Sequence, residues 1–145
     1  MQPIQSVAIV GAGNMGSGIA QKSAQEEFDV QMVDREQQWV DRGQGIIADF
    51  LSEAVERRIF SPKQVEDIKN RITGVVGVDN TAENTDLVIE AVFEDFDIKT
   101  ALFNTLDEVC GPDTILASNT SSLSVNALAE ATGRADRFVG LHFFF

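Results

Sequence analysis

Val7-Ala8-Ile9-Val10-Gly11-Ala12-Gly13-Asn14-Met15-Gly16-Ser17-Gly18-Ile19-Ala20 is the segment from which the fold of this chain follows. Residues 7–10 are apolar and mostly β-branched, which predicts a buried strand that ends in a glycine turn before helix-forming residues. Gly11, Gly13 and Gly16 have the spacing G-x-G-x-x-G. In that pattern the first glycine permits a tight turn, the second lets a diphosphate reach the backbone, and the third lets the helix pack closely on the sheet. Glycine turns are common, so the spacing alone leaves nucleotide binding open. The candidate cofactor-binding residues of the turn are Gly11, Ala12, Gly13, Asn14, Met15 and Gly16.

An acidic residue ends the second predicted strand, residues 28–34. Asp34 lies at the offset of about 20 residues at which a carboxylate binds the ribose of a dinucleotide. A carboxylate accepts hydrogen bonds from ribose hydroxyls and repels a 2′-phosphate, so Asp34 predicts NAD rather than NADP. The alternative for Asp34 is a helix cap or a turn residue. Arg35 is the opposing signal, because a guanidinium beside the site is able to receive a 2′-phosphate.

Composition limits the classes of function. The chain has 145 residues, 43% of them hydrophobic, and a formal net charge of −12. This length suits one domain with a core, and the acidity argues against binding to nucleic acid or to an anionic membrane surface. No apolar run approaches the roughly 20 residues of a membrane span, and residues 1–5 show no basic signal-peptide region. The single cysteine, Cys110, is interpreted as a small core residue. It fits a reducing compartment, so we expect a cytoplasmic protein. No metal site is expected.

Strands and helices alternate along the rest of the chain. The predicted later strands are 71–76, 85–92, 114–117 and 137–142. The predicted helices are 15–27, a long helix from 37, a short helix capped by Ser61 before Pro62, one over about 98–109, and 123–131 capped by Ser122 or Ser124. Trp39 and Phe50 fall on the apolar stripe of the long helix, which is more typical of core than of base stacking. This alternation predicts a doubly wound (Rossmann) α/β fold, with a mainly parallel sheet between two helical layers.

Three groups of polar residues follow predicted strands, at the edge where such sheets bind ligands. Glu94 and Lys99 follow the fourth strand, where such residues are ordinarily solvated surface. The run 118–122, Ser-Asn-Thr-Ser-Ser, follows the fifth and suits ligand binding or a capped turn equally well. His142 is the only histidine. A lone histidine on an apolar strand is usually structural, but at a strand's carboxyl end its pKa suits proton transfer near neutrality.

Together these motifs resemble the 3-hydroxyacyl-CoA dehydrogenases, and within them the 3-hydroxybutyryl-CoA type. The matching segments are residues 11–21 (Gly-Ala-Gly-Asn-Met-Gly-Ser-Gly-Ile-Ala-Gln), 86–92 (Asp-Leu-Val-Ile-Glu-Ala-Val), 117–124 (Ala-Ser-Asn-Thr-Ser-Ser-Leu-Ser) and 140–144 (Gly-Leu-His-Phe-Phe). They span nearly the whole chain in the family's order. The resemblance implies an NAD-dependent oxidoreductase of fatty acid metabolism (β-oxidation) that interconverts (S)-3-hydroxyacyl-CoA and 3-oxoacyl-CoA.

The resemblance also implies roles for single residues. Glu94, Lys99 and Asn119 match cofactor-contacting positions, and Ser121 matches a serine that touches both substrate and cofactor. His142 matches the catalytic base, which takes the proton of the 3-hydroxyl while C3 gives its hydride to the nicotinamide.

The chain departs from the family pattern at its end. Phe145 stands where the family commonly has Asn-Pro after His-Phe-Phe. The glutamate that orients the histidine, and the helical domain that binds acyl-CoA and forms the homodimer, lie beyond this endpoint in the family. We therefore expect residues 1–145 to be the NAD-binding domain alone, with little activity of its own.

Two alternatives stay open. The first is a dehydrogenase of another 3-hydroxy acid in the same superfamily. The second is a stand-alone NAD-binding module, for which the aromatic run 143–145 would form a patch that drives association.

Overall fold

A computed structural model describes residues 3–144 as six strands, five α-helices and two short 3-10 turns. The strands are β1 Ser6–Val10, β2 Asp29–Asp34, β3 Ile72–Val76, β4 Leu87–Glu90, β5 Ile115–Ser118 and β6 Phe138–Gly140. The helices are α1 Asn14–Gln25, α2 Gln37–Glu56, α3 Pro62–Asn70, α4 Phe96–Val109 and α5 Val125–Glu130, and the 3-10 turns are Val78–Asn80 and Ala135–Arg137. No helix in this part of the chain is long and apolar enough to cross a membrane.

The six strands form one parallel sheet in the order β3-β2-β1-β4-β5-β6. Chain order runs outward from β1 in both directions, so the connection from β3 to β4 crosses the sheet. Val10 at the end of β1 pairs with Val33 on one side and Glu90 on the other. The carboxyl ends of the central strands therefore share one edge, where the crossover opens a crevice. The predicted doubly wound fold is confirmed.

The strand β1 contributes to two cores because its side chains alternate between the faces of the sheet. Val7 and Ile9 belong to the cluster covered by α1, α2 and α3, whereas Ala8 and Val10 belong to the cluster covered by α4 and α5. Cys110 is buried in the second cluster, as predicted. The sheet thus lies between two helical layers.

Helix caps follow the sequence closely. Ser61 and Gln64 form a reciprocal capping box at α3, with Pro62 in the first turn. Ser124, rather than Ser122, caps α5 by accepting a hydrogen bond from the N–H of Ala127. These side chains satisfy N–H groups that a helix start leaves without partners.

The prediction of which apolar residues of α2 are buried is partly wrong. Its buried residues are Val40, Gly43, Ile47, Leu51 and Ala54. Phe50, expected in the core, is 51% exposed because it lies beside this stripe rather than on it.

Asp86 fastens the start of β1 at the edge of the sheet opposite the crevice. Its Oδ2 accepts hydrogen bonds from the N–H groups of Gln5 and Ser6 and from the Ser6 hydroxyl, each at 2.9 Å. The Gln5 N–H and then the Ser6 N–H stabilise the ionised form and hold the pKa of Asp86 below its ordinary value, against an opposing effect of burial.

Candidate functional site

The first glycine of the turn has a backbone that other residues rarely adopt. Gly11 has a φ of +109°, and its N–H donates to the carbonyl oxygen of Val33 at 2.8 Å. A Cβ on Gly11 would lie 2.6 Å from the carbonyl oxygen of Ala91. The turn therefore fits between β2 and the end of β4 only with glycine at this position.

The other two glycines differ in what surrounds them. A Cβ on Gly16 would lie 1.7 Å from the carbonyl oxygen of Gly11, so the close approach is between α1 and the turn itself, not the sheet face. Gly13 is exposed, and a Cβ there would meet nothing within 4 Å. Gly13 is also the N-cap of α1 and supplies no side-chain cap. The start of α1 is thus open to an anion that needs N–H donors.

Asp34, the predicted ribose ligand, holds the glycine turn as well. Its Oδ2 accepts from the N–H of Ala12 at 2.8 Å, and its Oδ1 accepts from the N–H of Arg35 at 2.7 Å. An ionised carboxylate has about four acceptor positions, so these two bonds leave room for hydroxyl donors. Asp34 is half-buried at the end of β2, facing the turn.

A cavity of about 380 Å³ lies beside the turn, between the ends of β1, β2 and β4. Its lining consists of Val10, Gly11, Ala12, Gly13, Asp34, Arg35, Trp39, Arg42, Val78, Ala91, Val92, Phe93, Ile98 and Leu102. The Nε1 of Trp39 is buried without a hydrogen-bond partner in the described residues. Open N–H donors, an acidic acceptor and a largely apolar wall fit a diphosphate, a ribose and a planar ring in that order.

A buried ionic network lies on the other side of β4. Lys99 is 1% exposed, and its Nζ lies 2.8 Å from Glu90 Oε1 and 3.4 Å from Glu94 Oε2. Glu90 is 0% exposed and also accepts from the N–H of Val92 at 2.7 Å and from the hydroxyl of Ser118 at 2.6 Å. The expectation of solvated surface is therefore wrong for Lys99, because a buried carboxylate holds its ammonium.

The polar run 118–122 divides into two parts. Ser118 and Thr120 are buried, and the Thr120 hydroxyl bonds to the Glu94 carboxylate and accepts from the N–H of Leu123. Ser121 is exposed. The buried members shape the turn, whereas Ser121 is free to meet a ligand.

His142 lies two residues beyond β6, not within it as predicted. The segment is fixed on both sides: the Leu141 N–H donates to the Ser118 carbonyl oxygen at 2.9 Å, and the Phe143 N–H donates to Asn119 Oδ1 at 2.7 Å. The His142 side chain is exposed and its ring lies 4.4 Å from that of Phe144. His142, Asn119 and Ser121 thus follow neighbouring strands at one edge of the sheet. The predicted end of the aromatic run, Phe145, lies outside the described residues.

Sequence reasoning gave no role to Glu90 and interpreted Trp39 as core. It left Ser118 and Thr120 open between ligand binding and a capped turn. For Glu90 a signal existed, since an acid directly after Leu-Val-Ile in a buried parallel strand requires a partner. Nothing in the sequence identifies that partner as Lys99, nine positions later.

The comparisons with known proteins agree with this geometry. The family model described as "3-hydroxyacyl-CoA dehydrogenase, NAD binding domain" matches residues 6–145. The chain belongs to this family. The predicted resemblance and the predicted cofactor, NAD, are confirmed at the level of the family.

Relatives match over nearly the whole chain. A probable 3-hydroxybutyryl-CoA dehydrogenase of Deinococcus radiodurans is 42% identical over 93% of this chain and 48% of its own length. The mitochondrial hydroxyacyl-coenzyme A dehydrogenase of Sus scrofa is 37% identical over 97% of the chain and 46% of its own length. The crystal structure of (S)-3-hydroxybutyryl-CoA dehydrogenase from Ralstonia eutropha superposes with a TM-score of 0.94 at 40% identity, over 98% of this chain and 50% of that one. The chain spans about half the length of these relatives.

Proposed function

We propose that this chain is the cofactor-binding half of an NAD-dependent 3-hydroxyacyl-CoA dehydrogenase of fatty acid oxidation. The reaction would interconvert (S)-3-hydroxyacyl-CoA and 3-oxoacyl-CoA. The observation that carries the proposal is the cavity where the open start of α1 meets Asp34, in a chain of this family. The names of the relatives from Deinococcus radiodurans and Ralstonia eutropha support an acyl-CoA substrate.

The proposed cofactor contacts fall on both sides of β4. The diphosphate meets the N–H groups at the turn and the start of α1, where Gly13 leaves space, and Asp34 accepts from the ribose hydroxyls. On the far side, Glu94 and Asn119 face the nicotinamide end. Lys99 acts through Glu94, because its own ammonium is buried and shared between two carboxylates. Bound NAD supplies the hydride acceptor.

His142 is the proposed general base. Its exposed imidazole takes the proton from the substrate 3-hydroxyl, and in the reverse direction returns it to the oxygen of the 3-oxo group. Ser121, also exposed, donates a hydrogen bond to that same oxygen as negative charge develops on it. The two hydrogen bonds that fix residues 141 and 143 support a defined position for the imidazole.

The complete enzyme is proposed to be a cytoplasmic homodimer in which a helical domain closes over acyl-CoA. The match to about half of each relative supports a second domain of similar size. Residues 1–145 alone should then turn over very little substrate.

The test compares a full-length form carrying both domains with the 145-residue chain, using acetoacetyl-CoA and NADH. We expect robust NADH oxidation only by the full-length form. His142→Gln should lower kcat by about 10²- to 10⁴-fold, the scale of general acid–base catalysis, without weakening NADH binding. Robust turnover by the 145-residue chain would overturn the proposal that a second domain is needed for activity. Faster turnover of free 3-hydroxy acids than of acyl-CoA would favour the other dehydrogenase function.

A further inference from the structure

Glu90, the last residue of β4, is a buried carboxylate to which the proposed function gives no role of its own. It is 0% exposed, and three donors of the protein enclose it. Its Oε1 accepts from the Lys99 Nζ at 2.8 Å and from the Val92 N–H at 2.7 Å, and its Oε2 accepts from the Ser118 hydroxyl at 2.6 Å. Glu90 therefore acts on a ligand only through its charge or through the residues that it holds.

The network around Glu90 carries one more negative charge than positive. Lys99 is the single ion-pair partner of both Glu90 and Glu94 among residues 3–144, and its Nζ lies closer to Glu90, at 2.8 Å, than to Glu94, at 3.4 Å. The other Glu94 oxygen accepts from the neutral hydroxyl of Thr120. Lys99 and Glu90 are sealed from water, whereas the side chain of Glu94 is 38% exposed. The surplus negative charge therefore reaches the surface at Glu94.

Other charges near Glu94 do not cancel this surplus. The start of α4 contributes a partial positive charge of about half a unit. Two further carboxylates offset it, because Asp95 caps the helix by accepting from the Ile98 N–H at 2.9 Å and Asp97 lies in the first turn. Salt screens a buried pair much less than exposed charges, so Glu90 and Lys99 contribute to the local potential at nearly full strength.

We propose that Glu90 is a specificity-determining residue that sets the preference of the site between the oxidised and the reduced cofactor. The inference rests on the proposed function, in which the diphosphate lies at the start of α1 and one ribose at Asp34. The other half of such a dinucleotide lies across the ends of β4 and β5, where Glu94 is exposed. Its nicotinamide ring is cationic in NAD⁺ and neutral in NADH. The surplus negative charge therefore attracts the oxidised form selectively.

Neutralising Glu90 should change this selectivity without removing a cofactor contact. The amide of Glu90→Gln keeps an oxygen for the Lys99 ammonium and the Val92 N–H, and offers its NH₂ to the Ser118 oxygen. Lys99 and Glu94 then sum to zero charge. We expect affinity for NAD⁺ to fall about three- to tenfold, the scale of one unit charge at a partly solvated edge, and affinity for NADH to change by less than about twofold.

The assay measures the ratio of the dissociation constants of NAD⁺ and NADH. Trp39 is the sole tryptophan, the chain has no tyrosine, and Trp39 lines the cavity beside the turn. Quenching of its fluorescence gives both constants, with calorimetry as a second measurement. Glu108→Gln is the matched control, since it removes an equal charge from an exposed position on α4, about 14 Å along the helix axis from Lys99.

Two further variants separate charge from structure. Glu94→Gln removes the same unit of charge at the exposed end of the network, so it should raise the ratio as Glu90→Gln does. It also carries the test should Glu90→Gln fail to fold by circular dichroism. Glu90→Asp keeps the charge but shortens the side chain, and should leave the ratio within about twofold of the wild type even where both affinities fall.

The results separate this inference from the proposed function. A wild-type chain that binds both nucleotides, with equal losses of NAD⁺ and NADH affinity in Glu90→Gln, overturns the inference, because Glu90 would then only support the structure. An equal change of the ratio in Glu108→Gln overturns it too, because the net charge of the chain would explain the effect. Failure of the folded wild type to bind either nucleotide would instead overturn the proposed function, and this inference with it.

Discussion

Substituting alanine for two glycines of the turn should separate stability from cofactor binding. In Gly16→Ala the new Cβ would lie 1.7 Å from the Gly11 carbonyl oxygen, where real Cβ contacts do not come within 3.0 Å. The oxygen is a backbone atom and the Cβ is fixed rigidly to the backbone of α1, so neither can rotate away and α1 and the turn must move apart by more than 1 Å. Overpacking that side chains can relieve costs about 1–3 kcal/mol. The movement would also strain the bonds that Gly11 and Ala12 donate, each contributing about 1 kcal/mol. We expect a loss of about 3 kcal/mol or more, a large share of a typical stability of about 5–15 kcal/mol.

Gly13→Ala should have the opposite profile. Its Cβ meets nothing within 4 Å and the φ of −75° suits alanine, so only the weaker N-cap preference is lost, about 1 kcal/mol or less. The methyl group would nevertheless occupy the open face at the start of α1. We expect NADH affinity to fall about tenfold or more, equivalent to about 1.4 kcal/mol.

Urea unfolding followed by circular dichroism and NADH titration measure the two effects. Gly45→Ala is the control, since it lies inside α2 with nothing within 4 Å of its Cβ, and should stabilise the protein by up to about 1 kcal/mol. An unchanged unfolding midpoint in Gly16→Ala would refute the packing of α1 on the turn. Intact NADH binding in Gly13→Ala would refute the open face as the diphosphate site.

Three further predictions concern other parts of the molecule. Lys99→Met leaves the fully buried Glu90 without its cation and should lower the free energy of unfolding in urea by about 3–5 kcal/mol, with partial recovery when Glu90→Gln is added. The control Lys63→Met breaks an exposed ion pair and should lower it by less than about 1 kcal/mol. Equal losses in the two variants would contradict the role of the buried pair. Asp86 stabilises the fold while ionised, so the stability of the wild type should fall as the pH drops below about 3.9, its pKa in the unfolded chain, and through its lower pKa in the folded chain. Asp86→Asn should be less stable than the wild type at pH 7 but should lose less stability over that acid range. Equal losses of stability in the two proteins would contradict the role of the Asp86 carboxylate. Phe144 is 84% exposed, so Phe144→Ser should reduce the self-association measured by light scattering. A wild-type chain that stays strictly monomeric at high concentration would contradict self-association through this aromatic residue.

The sequence predicts the fold well because local and long-range signals agree. The glycine spacing, the alternation of strands with helices and the capping residue Ser61 each follow from backbone chemistry close in sequence. The ends of strands are less predictable. The last strand is predicted over residues 137–142 but is β6 Phe138–Gly140, because its pairing with β5 stops at Ser118. His142 therefore lies in a segment held by two hydrogen bonds rather than in a strand.

The site is predicted only in part, because partners distant in sequence decide burial. Lys99 in isolation resembles any surface lysine, yet it is buried because Glu90 ends a strand beneath it. Trp39 lies on the edge of the apolar stripe of α2, and its indole lines the cavity. Spacing alone predicts that Asp34 is the ribose ligand, but the hydrogen bond that it accepts from the Ala12 N–H depends on how β1 and β2 pair.

Titration of the folded 145-residue chain with NADH and NADPH, followed by Trp39 fluorescence, tests the dinucleotide site most directly. Saturable quenching by NADH, with markedly weaker binding of NADPH, is the expected result, because the open start of α1 takes the diphosphate and Asp34 disfavours a 2′-phosphate. Absence of saturable binding of either nucleotide to the folded chain would contradict the assignment of the turn and Asp34 as a self-sufficient NAD site.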